Sequence, residues 1–277
     1  MVHTPDPRDD ENVEMAELRR RLALVEGQLE TLRGESRRWE KLASIVHRTL
    51  LAQPVRHEAI HVDVRYHPIE AVGGDYCQVR FCGQETCYIT LCDVMGHGIV
   101  PAFVATRVSS EVRHWILNQQ SPSRIVKQLN GFMRTYFQET GLFLSFFAAR
   151  IDLVARRITW SGGGHPPAIV VRPGTTPVEL LESQNALIGV VDDCLDESPE
   201  HSFDLHVGDR VLFYTDGLTE TGATSGNELG IGGLAEIATS SMGLDVFRMA
   251  DDILEKVAKF ASGSQEDDKT LIVAEIR

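Results

Sequence analysis

The chain has 277 residues, a net charge of −13 and an apolar fraction of 43%. That length allows one large domain or two smaller ones with a sizeable core. An acidic balance without a basic stripe argues against nucleic acid or an anionic membrane as partner, and no apolar run reaches membrane-spanning length.

The polar, acidic stretch Met1 to Asn12 does not read as a secretory signal. It is expected to be a disordered tail, residues 1–12. Five cysteines without such a signal fit a reducing, cytoplasmic setting. From Glu14 a helical pattern begins. Met15, Leu22 and Leu29 fall at heptad position a, and Leu18, Val25 and Leu32 at d. The frame continues through Ser36, Trp39, Ala43, Val46 and Leu50. In a parallel dimer Glu14 meets the partner's Arg19, and Arg21 meets the partner's Glu26, both complementary. Glu35 meets the partner's Glu40, which is repulsive, beside Gly34 and Ser36. The expectation is a coiled coil of about three heptads, a weak point at Gly34 to Ser36, and a second helix to Ala52. Residues 13–53 then form a dimerising linker, and residues 54–277 the main domain. An amphipathic helix lying on its own domain is the alternative.

After Pro54, Ile60 to Tyr66 reads as a strand, and two more flank Gly83-Gln84-Glu85-Thr86. If that hairpin turns at Gln84-Glu85, Cys82 faces Cys87 and Cys77 faces Cys92. A one-residue slip would undo the pairing. No zinc template has this five-residue spacing, and the cysteines read as buried free thiols. Pro101 to Leu117 is helical, with Val100, Val104, Val108 and Val112 four apart. Ser121 is an N-cap for a helix running to Tyr136. Leu142 to Leu153 and Arg157 to Trp160 read as a hairpin. Ile169 to Val171, Phe203 to Val207, Arg210 to Tyr214 and Thr270 to Ile276 are further strands. Leu234 to Ala238 and Val246 to Phe260 are helices. Strands without regular βαβ alternation predict an α+β fold of antiparallel sheets.

Four carboxylate positions stand where an apolar run meets a glycine-rich or acidic turn. Asp75 closes Val72-Gly73-Gly74-Asp75. Asp93 follows Tyr88-Ile89-Thr90-Leu91-Cys92. Asp216 follows Val211-Leu212-Phe213-Tyr214-Thr215, and Asp267 and Asp268 precede the last strand. Strand ends deliver these groups to a sheet rim, and adjacent glycines allow close approach of backbone or ligand. Convergent buried carboxylates repel and need cations. Oxygen ligands select Mg²⁺, Mn²⁺ or Ca²⁺ over zinc, and two bridged ions make a hydrolytic site for phosphoesters. Two other motifs mislead. Gly230-Ile231-Gly232-Gly233-Leu234-Ala235 follows a polar loop rather than the strand a dinucleotide site needs. Thr215-Asp216-Gly217 lacks the second aspartate of aspartyl-phosphate enzymes, having Leu218 instead.

Val72-Gly73-Gly74-Asp75-Tyr76, Asp93-Val94-Met95-Gly96-His97-Gly98, Gly162-Gly163-Gly164-His165-Pro166-Pro167, Tyr214-Thr215-Asp216-Gly217-Leu218-Thr219-Glu220 and Asp267-Asp268-Lys269-Thr270 occur in that order. Over residues 40–277 this closely resembles the SpoIIE/RsbU branch of the PPM (type 2C) metal-dependent serine/threonine protein phosphatases. The resemblance implies a four-layer α-β-β-α sandwich with two Mn²⁺ or Mg²⁺ ions at one end of the sheets. It implies phosphoserine or phosphothreonine substrates, often anti-sigma-factor antagonists of STAS fold, and an upstream regulator acting through the helical linker. By the same resemblance Asp93 bridges the metals and the Val94 carbonyl completes one shell. Asp216 and Asp267 ligate the first metal and Asp75 the second, while Asp268 is a water-linked neighbour that could exchange roles with Asp267. Water activated by the metals attacks phosphorus without a covalent intermediate. No general acid is evident; His97 and His165 read as structural. A pseudophosphatase scaffold and a phosphatase of small phosphoesters are the alternatives.

The complementary charges on the N-terminal helix predict its assembly. Light scattering is expected to show a dimer for the full chain and a monomer for a chain starting at Arg37. Two monomers would make the helix a docking surface instead.

Overall fold

In the last strand, β11 (Lys269–Ile276), apolar side chains face alternate sides, and seven of its eight residues are buried. Such a strand belongs at the centre of a sheet covered on both faces. The computed structural model, which describes residues 7–49, 51–175, 177–191, 199–222, 226, 228–260 and 267–277, places it there. Its neighbours are β2 (Ile60–His67) and β10 (Arg210–Tyr214). The sheet is completed by β1 (Val55–His57), β7 (Ala168–Val171) and β8 (Glu179–Leu181), in the order β1-β2-β11-β10-β7-β8. A second sheet has the order β3 (Tyr76–Cys82), β4 (Thr86–Val94), β5 (Leu144–Asp152), β6 (Arg157–Gly163), β9 (His201–Asp204). Every paired strand in both is antiparallel.

Three apolar clusters define the layers. Between the sheets lie Ile60, Val62, Ile89, Leu91, Phe147, Ile151, Phe213 and Ile272. On the outer face of the second sheet pack α2 (Ile99–Leu117) and α3 (Pro122–Phe137), through residues such as Val108, Val112, Ile125 and Leu129. On the outer face of the first pack α5 (Gly230–Ser240) and α6 (Val246–Phe260), through Leu234, Met249 and Ile253. The short α4 (Asp216–Thr219) lies between β10 and α5 in the chain. This is the expected four-layer α-β-β-α sandwich. Ser121 caps α3, its hydroxyl accepting from Arg124 N at 3.4 Å, with Pro122 in the first turn where its missing N–H costs nothing.

The differences from the sequence reading are local. β1, β8 and α4 are too short to carry a periodic signal. Of the four valines spaced along α2, Val104, Val108 and Val112 are buried, but Val100 is exposed. The β3–β4 hairpin turns one residue earlier than expected. Phe81 faces Cys87, Cys82 faces Thr86 and Tyr76 faces Cys92, because Gly83 adopts a left-handed φ of 69° and shifts the register. The proposed cysteine pairs therefore fall on opposite faces of the sheet. Cys77 and Cys87 lie between the sheets, while Cys82 and Cys92 lie toward the α2 and α3 layer. All four are free thiols, and burial pushes Cys77 and Cys87 up to about 12. Cys194 lies outside the described residues.

The N-terminal helix, α1 (Pro7–Arg48), runs unbroken through Gly34, Glu35 and Ser36. One glycine costs a helix about 1 kcal/mol, too little to end it. The expected tail is thus helical from Pro7; Met1 to Asp6 and Leu50 lie outside the described residues. The helix also stops at Arg48, short of Ala52. Met15, Leu18, Leu22, Val25, Leu29 and Leu32 are all exposed. The larger of two compact units begins at Val46, with His47 buried inside it. Among the described residues no helix is long and apolar enough to cross a membrane.

On the outer face of the first sheet, Arg210 and Glu275 are cross-strand partners. Arg210 Nε donates to Glu275 Oε2 at 3.0 Å and Arg210 Nη2 to the Leu244 carbonyl at 2.7 Å, both side chains being buried. Removing one partner strands the other's charge in the core. Glu275→Ala is expected to cost about 3–5 kcal/mol in urea unfolding; a change below about 0.5 kcal/mol, as at ordinary surface sites, would show the pair to be solvated.

Candidate active site

Antiparallel pairing brings the acidic motifs together. Asp75 immediately precedes β3 and Asp93 is the penultimate residue of β4, so hairpin geometry puts them at the same end of the second sheet. Asp216 follows β10 and Asp267 and Asp268 precede β11, a pair of strands whose register places Tyr214 opposite Leu271. The carboxylates sense one another. Burial, then the charges of Asp216, Asp267 and Asp268, push Asp93 up to about 8. Burial, then Glu220 and Asp267, push Asp216 up to about 6. Asp75 is fully buried and held well above the carboxylate range by burial and then by Asp93. All five sequence-predicted aspartates thus share one acidic neighbourhood, although among the described residues no three stand close enough to form a closed cation cage.

Each carboxylate is held differently. Asp75 Oδ2 accepts from Thr215 Oγ1 at 2.8 Å and from Thr270 Oγ1 at 2.6 Å. Its Oδ1 is buried without a hydrogen-bond partner. Thr215 is itself fixed by Thr270 N, which donates to Thr215 Oγ1 at 3.0 Å. Asp268 is spent on the backbone: Oδ1 accepts from Ile69 N at 2.8 Å and Oδ2 from Gly74 N at 3.0 Å. Asp267 accepts from Asp268 N at 2.7 Å and is only half-buried. Thr215 and Thr270 are the residues that motif reading passed over. Each lies inside a recognised motif, and a hydroxyl next to a buried aspartate was the available signal.

The glycines are explained by close approach. A Cβ on Gly73 would collide with the Asp268 carboxylate, on Gly74 with the Val94 carbonyl, and on Gly217 with the Asp268 carbonyl. Val94 N donates to the Gly74 carbonyl at 3.3 Å, joining the two site loops. Beyond it, Gly96 and Gly98 take φ of 89° and 87° around His97. His97 does not support the turn from inside. Its side chain is 64% exposed and its Nδ1 lies 2.7 Å from Glu70 Oε1. His165, by contrast, is buried, with Nδ1 2.7 Å from Ser145 Oγ, and burial pushes it down to about 3, so it is neutral. The rim next to the site is apolar: Met95, Ile99, Val100 and Phe103 are all exposed.

The donors are all oxygen, as a hard divalent cation requires. The unpartnered Asp75 oxygen and the mutual repulsion felt by Asp93 and Asp216 are what a cation would relieve. The residues present therefore fit such an ion.

Comparison with known proteins bears on the family and the fold. The family described as Stage II sporulation protein E (SpoIIE) matches residues 83–277. The phosphoserine phosphatase RsbP of Bacillus subtilis (strain 168) is 26% identical over 187 residues, 66% of this chain and 46% of RsbP. The match thus spans less than half of that relative. The SiaA-PP2C domain of Pseudomonas aeruginosa superposes with a TM-score of 0.76 at 18% identity, covering 88% of this chain and 98% of that one. The PP2C phosphatase domain of SpoIIE from Bacillus subtilis, solved with a fragment of its regulatory domain, gives 0.68 at 20% identity, covering 80% and 64%. At these identities the superpositions bear on the fold.

The raised carboxylates make the metal-free protein sensitive to alkali. Between the unfolded carboxylate range near 3.8 and the folded value of about 8, native Asp93 holds a proton that the unfolded chain releases. Stability therefore falls as pH rises through that window. The buried imidazoles of His47 and His165 act the other way, but only below 6.5. In chelator, the midpoint of thermal unfolding is expected to drop from pH 6.8 to pH 8.0, and Asp93→Asn to flatten the drop. A rise over the same interval would contradict the proposed electrostatics.

Proposed function

The chain belongs to the SpoIIE family of PPM-type phosphatase domains, and on that premise we propose that it is a metal-dependent serine/threonine protein phosphatase acting in bacterial signalling. One observation carries the proposal: Asp75, Asp93, Asp216 and Asp267 come from four separate segments and converge as mutually repelling carboxylates at the shared end of two sheets. In this reading Asp93 and the Val94 carbonyl would contribute to holding two Mn²⁺ or Mg²⁺ ions. Asp216 and Asp267 would hold the first ion and Asp75, whose Oδ1 is buried without a partner, the second. Asp268 is a positioning residue, since both its oxygens already serve the 69–74 backbone. When bound, such ions lower the pKa of water and polarise phosphoryl oxygens. The protein's own part is to hold Asp75 by two threonine hydroxyls, to keep the loops close through side-chain-free glycines, and to present a rim to the substrate.

That rim favours a protein over a small phosphoester. Exposed Met95, Ile99, Val100 and Phe103 supply apolar area for a folded partner rather than a basic pocket. A phosphorylated STAS-type antagonist is the substrate proposed. The exposed seam of α1, with its complementary flanking charges, supports a homodimer and a docking place for an upstream regulator. The intact carboxylate set speaks against the alternative of a pseudophosphatase scaffold.

Hydrolysis of p-nitrophenyl phosphate is expected to require Mn²⁺ or Mg²⁺ and to stop in excess chelator. Asp93→Asn and Asp216→Asn are expected to lower turnover by more than about 100-fold, beyond what loss of an outer-shell partner costs. They should also abolish the rise in unfolding temperature that the metal gives. Undiminished hydrolysis in chelator would sink the two-metal reading.

A further inference from the structure

Away from the carboxylates, two arginines stand together without a counter-ion. Alternate residues of a strand share a face, and the face of β3 toward α2 carries Gln78, Arg80 and Cys82. Gln78 Nε2 donates to both the carbonyl and the hydroxyl oxygen of Ser109, each at 2.8 Å. Cys82 Sγ donates to the Ile116 carbonyl at 3.3 Å. These contacts fix strand against helix on either side of Arg80. On the helix the residue bracketed by the same contacts is Arg113, four after Ser109 and three before Ile116, which are the spacings of one helical face. The two guanidiniums therefore meet at one level of the β3–α2 seam. Burial, then the charge of Arg113, lower the pKa of Arg80, although a guanidinium stays charged at any working pH.

No carboxylate relieves this pair. Among the described residues neither arginine has a hydrogen bond or an ion pair, and Arg80 Nε is buried without a partner. Glu111, on the same helix, is taken by Arg107, whose Nη1 donates to it at 2.5 Å. Tyr88, opposite Arg80 on β4, gives its hydroxyl hydrogen to the Gln120 carbonyl at 3.0 Å. A buried donor on a charged group is costly to leave unmade, and a second like charge beside it adds repulsion. β3 is the edge strand of its sheet, so its flank is open to a ligand. Two planar forks of N–H donors match the oxygens of a phosphoryl group.

We propose that Arg80 and Arg113 form a binding site for a phosphate-class oxyanion, separate from the carboxylate site. Arg80 stands five residues along the chain from Asp75, about 16 Å in an extended strand, so one phosphoryl group does not reach both. The chemistry is that of inorganic phosphate or of a small phosphate monoester. The proposal needs no metal and does not rest on the phosphatase reading.

The test is thermal unfolding of the full chain in excess chelator, with phosphate replacing chloride at constant ionic strength. Without metal the acidic end repels anions, so the response isolates the arginines. At a phosphate concentration about ten times Kd, the wild-type unfolding temperature is expected to rise by about 3–5 °C. Arg80→Gln and Arg113→Gln are each expected to lose most of that rise. Arg157→Gln removes the same charge from a surface pair with Asp204 and is expected to keep it. Free phosphoserine is the second probe: a rise at lower concentration than inorganic phosphate needs would identify a monoester as the ligand, and the reverse order would identify free phosphate. No rise in the wild type overturns the inference. So does an equal rise in the wild type and all three variants, which is a general effect of the salt. Circular dichroism checks each fold, and if Arg80→Gln does not fold, Arg113→Gln, at an exposed position without a hydrogen bond, decides. None of these outcomes touches the phosphatase reading, because no turnover is measured.

Discussion

One oxygen of Asp75 receives two threonine hydroxyls, and that junction joins the two sheets at the end where the site is built. Asp75 leads into the second sheet, whereas Thr270 lies in β11 and Thr215 directly follows β10, both central strands of the first. Hydrogen bonds to a charged group are worth about 1.5–3 kcal/mol each. Desolvating a carboxylate costs several kcal/mol. The two bonds therefore offset only part of the cost, and the remainder shows as an acidity held well below that of a free aspartate. Asp75 is where the fold is pinned together and also where it is electrostatically incomplete. A divalent ion held at the same end would satisfy the free oxygen.

The rest of the molecule is arranged to tolerate this. The acidic end is flanked by apolar layers that do not depend on it. Between the sheets, Phe147 and Phe213 meet edge to face at 5.8 Å, and Ile89, Leu91 and Ile272 are completely buried around them. The outer helices add two further clusters. Aromatic and aliphatic burial of this kind is worth about 1.5–3 kcal/mol per large side chain. A few unfavourable carboxylates are small beside that sum. The candidate site thus sits where buried like charge, rather than apolar packing, sets the local energetics.

The architecture was legible because its signals are periodic and local. α6 was read residue for residue as Val246–Phe260, since its apolar stripe at 249, 250, 253 and 257 faces one way. β10 and β11 were read within a residue from unbroken β-branched and aromatic runs. The β3–β4 register was missed by one, because a two-residue turn and a three-residue turn fit the same letters. Only the backbone of Gly83 distinguishes them. The site was legible as a set of carboxylates at strand ends, but not in its division of labour. Asp267 and Asp268 are adjacent and chemically identical. What separates them is that the 69–74 backbone offers two N–H groups to Asp268 alone, a fact created by folding. The partnership of Glu70 with His97 was invisible for the same reason, because nothing in either motif points to the other.

The segment from Ile69 to Asp75 is the common member of all these arrangements. It carries Glu70, contributes the Gly74 contact to Val94, and ends in Asp75, while Asp268 clips its backbone at both ends. On its other side is His47, the buried residue near the end of α1. Its ring lies 5.5 Å from Tyr66, and its acidity is perturbed by burial beside the backbone of Gly73 and Asp75. A packed histidine in that place has few positions it can occupy without moving the backbone of Gly73 and Asp75, because interiors deform between discrete arrangements rather than continuously. Displacement of His47 would therefore bear on Asp75, the proposed metal ligand. The link from His47 to Asp75 thus requires no path longer than the packing of one buried histidine beside the backbone of Gly73 and Asp75.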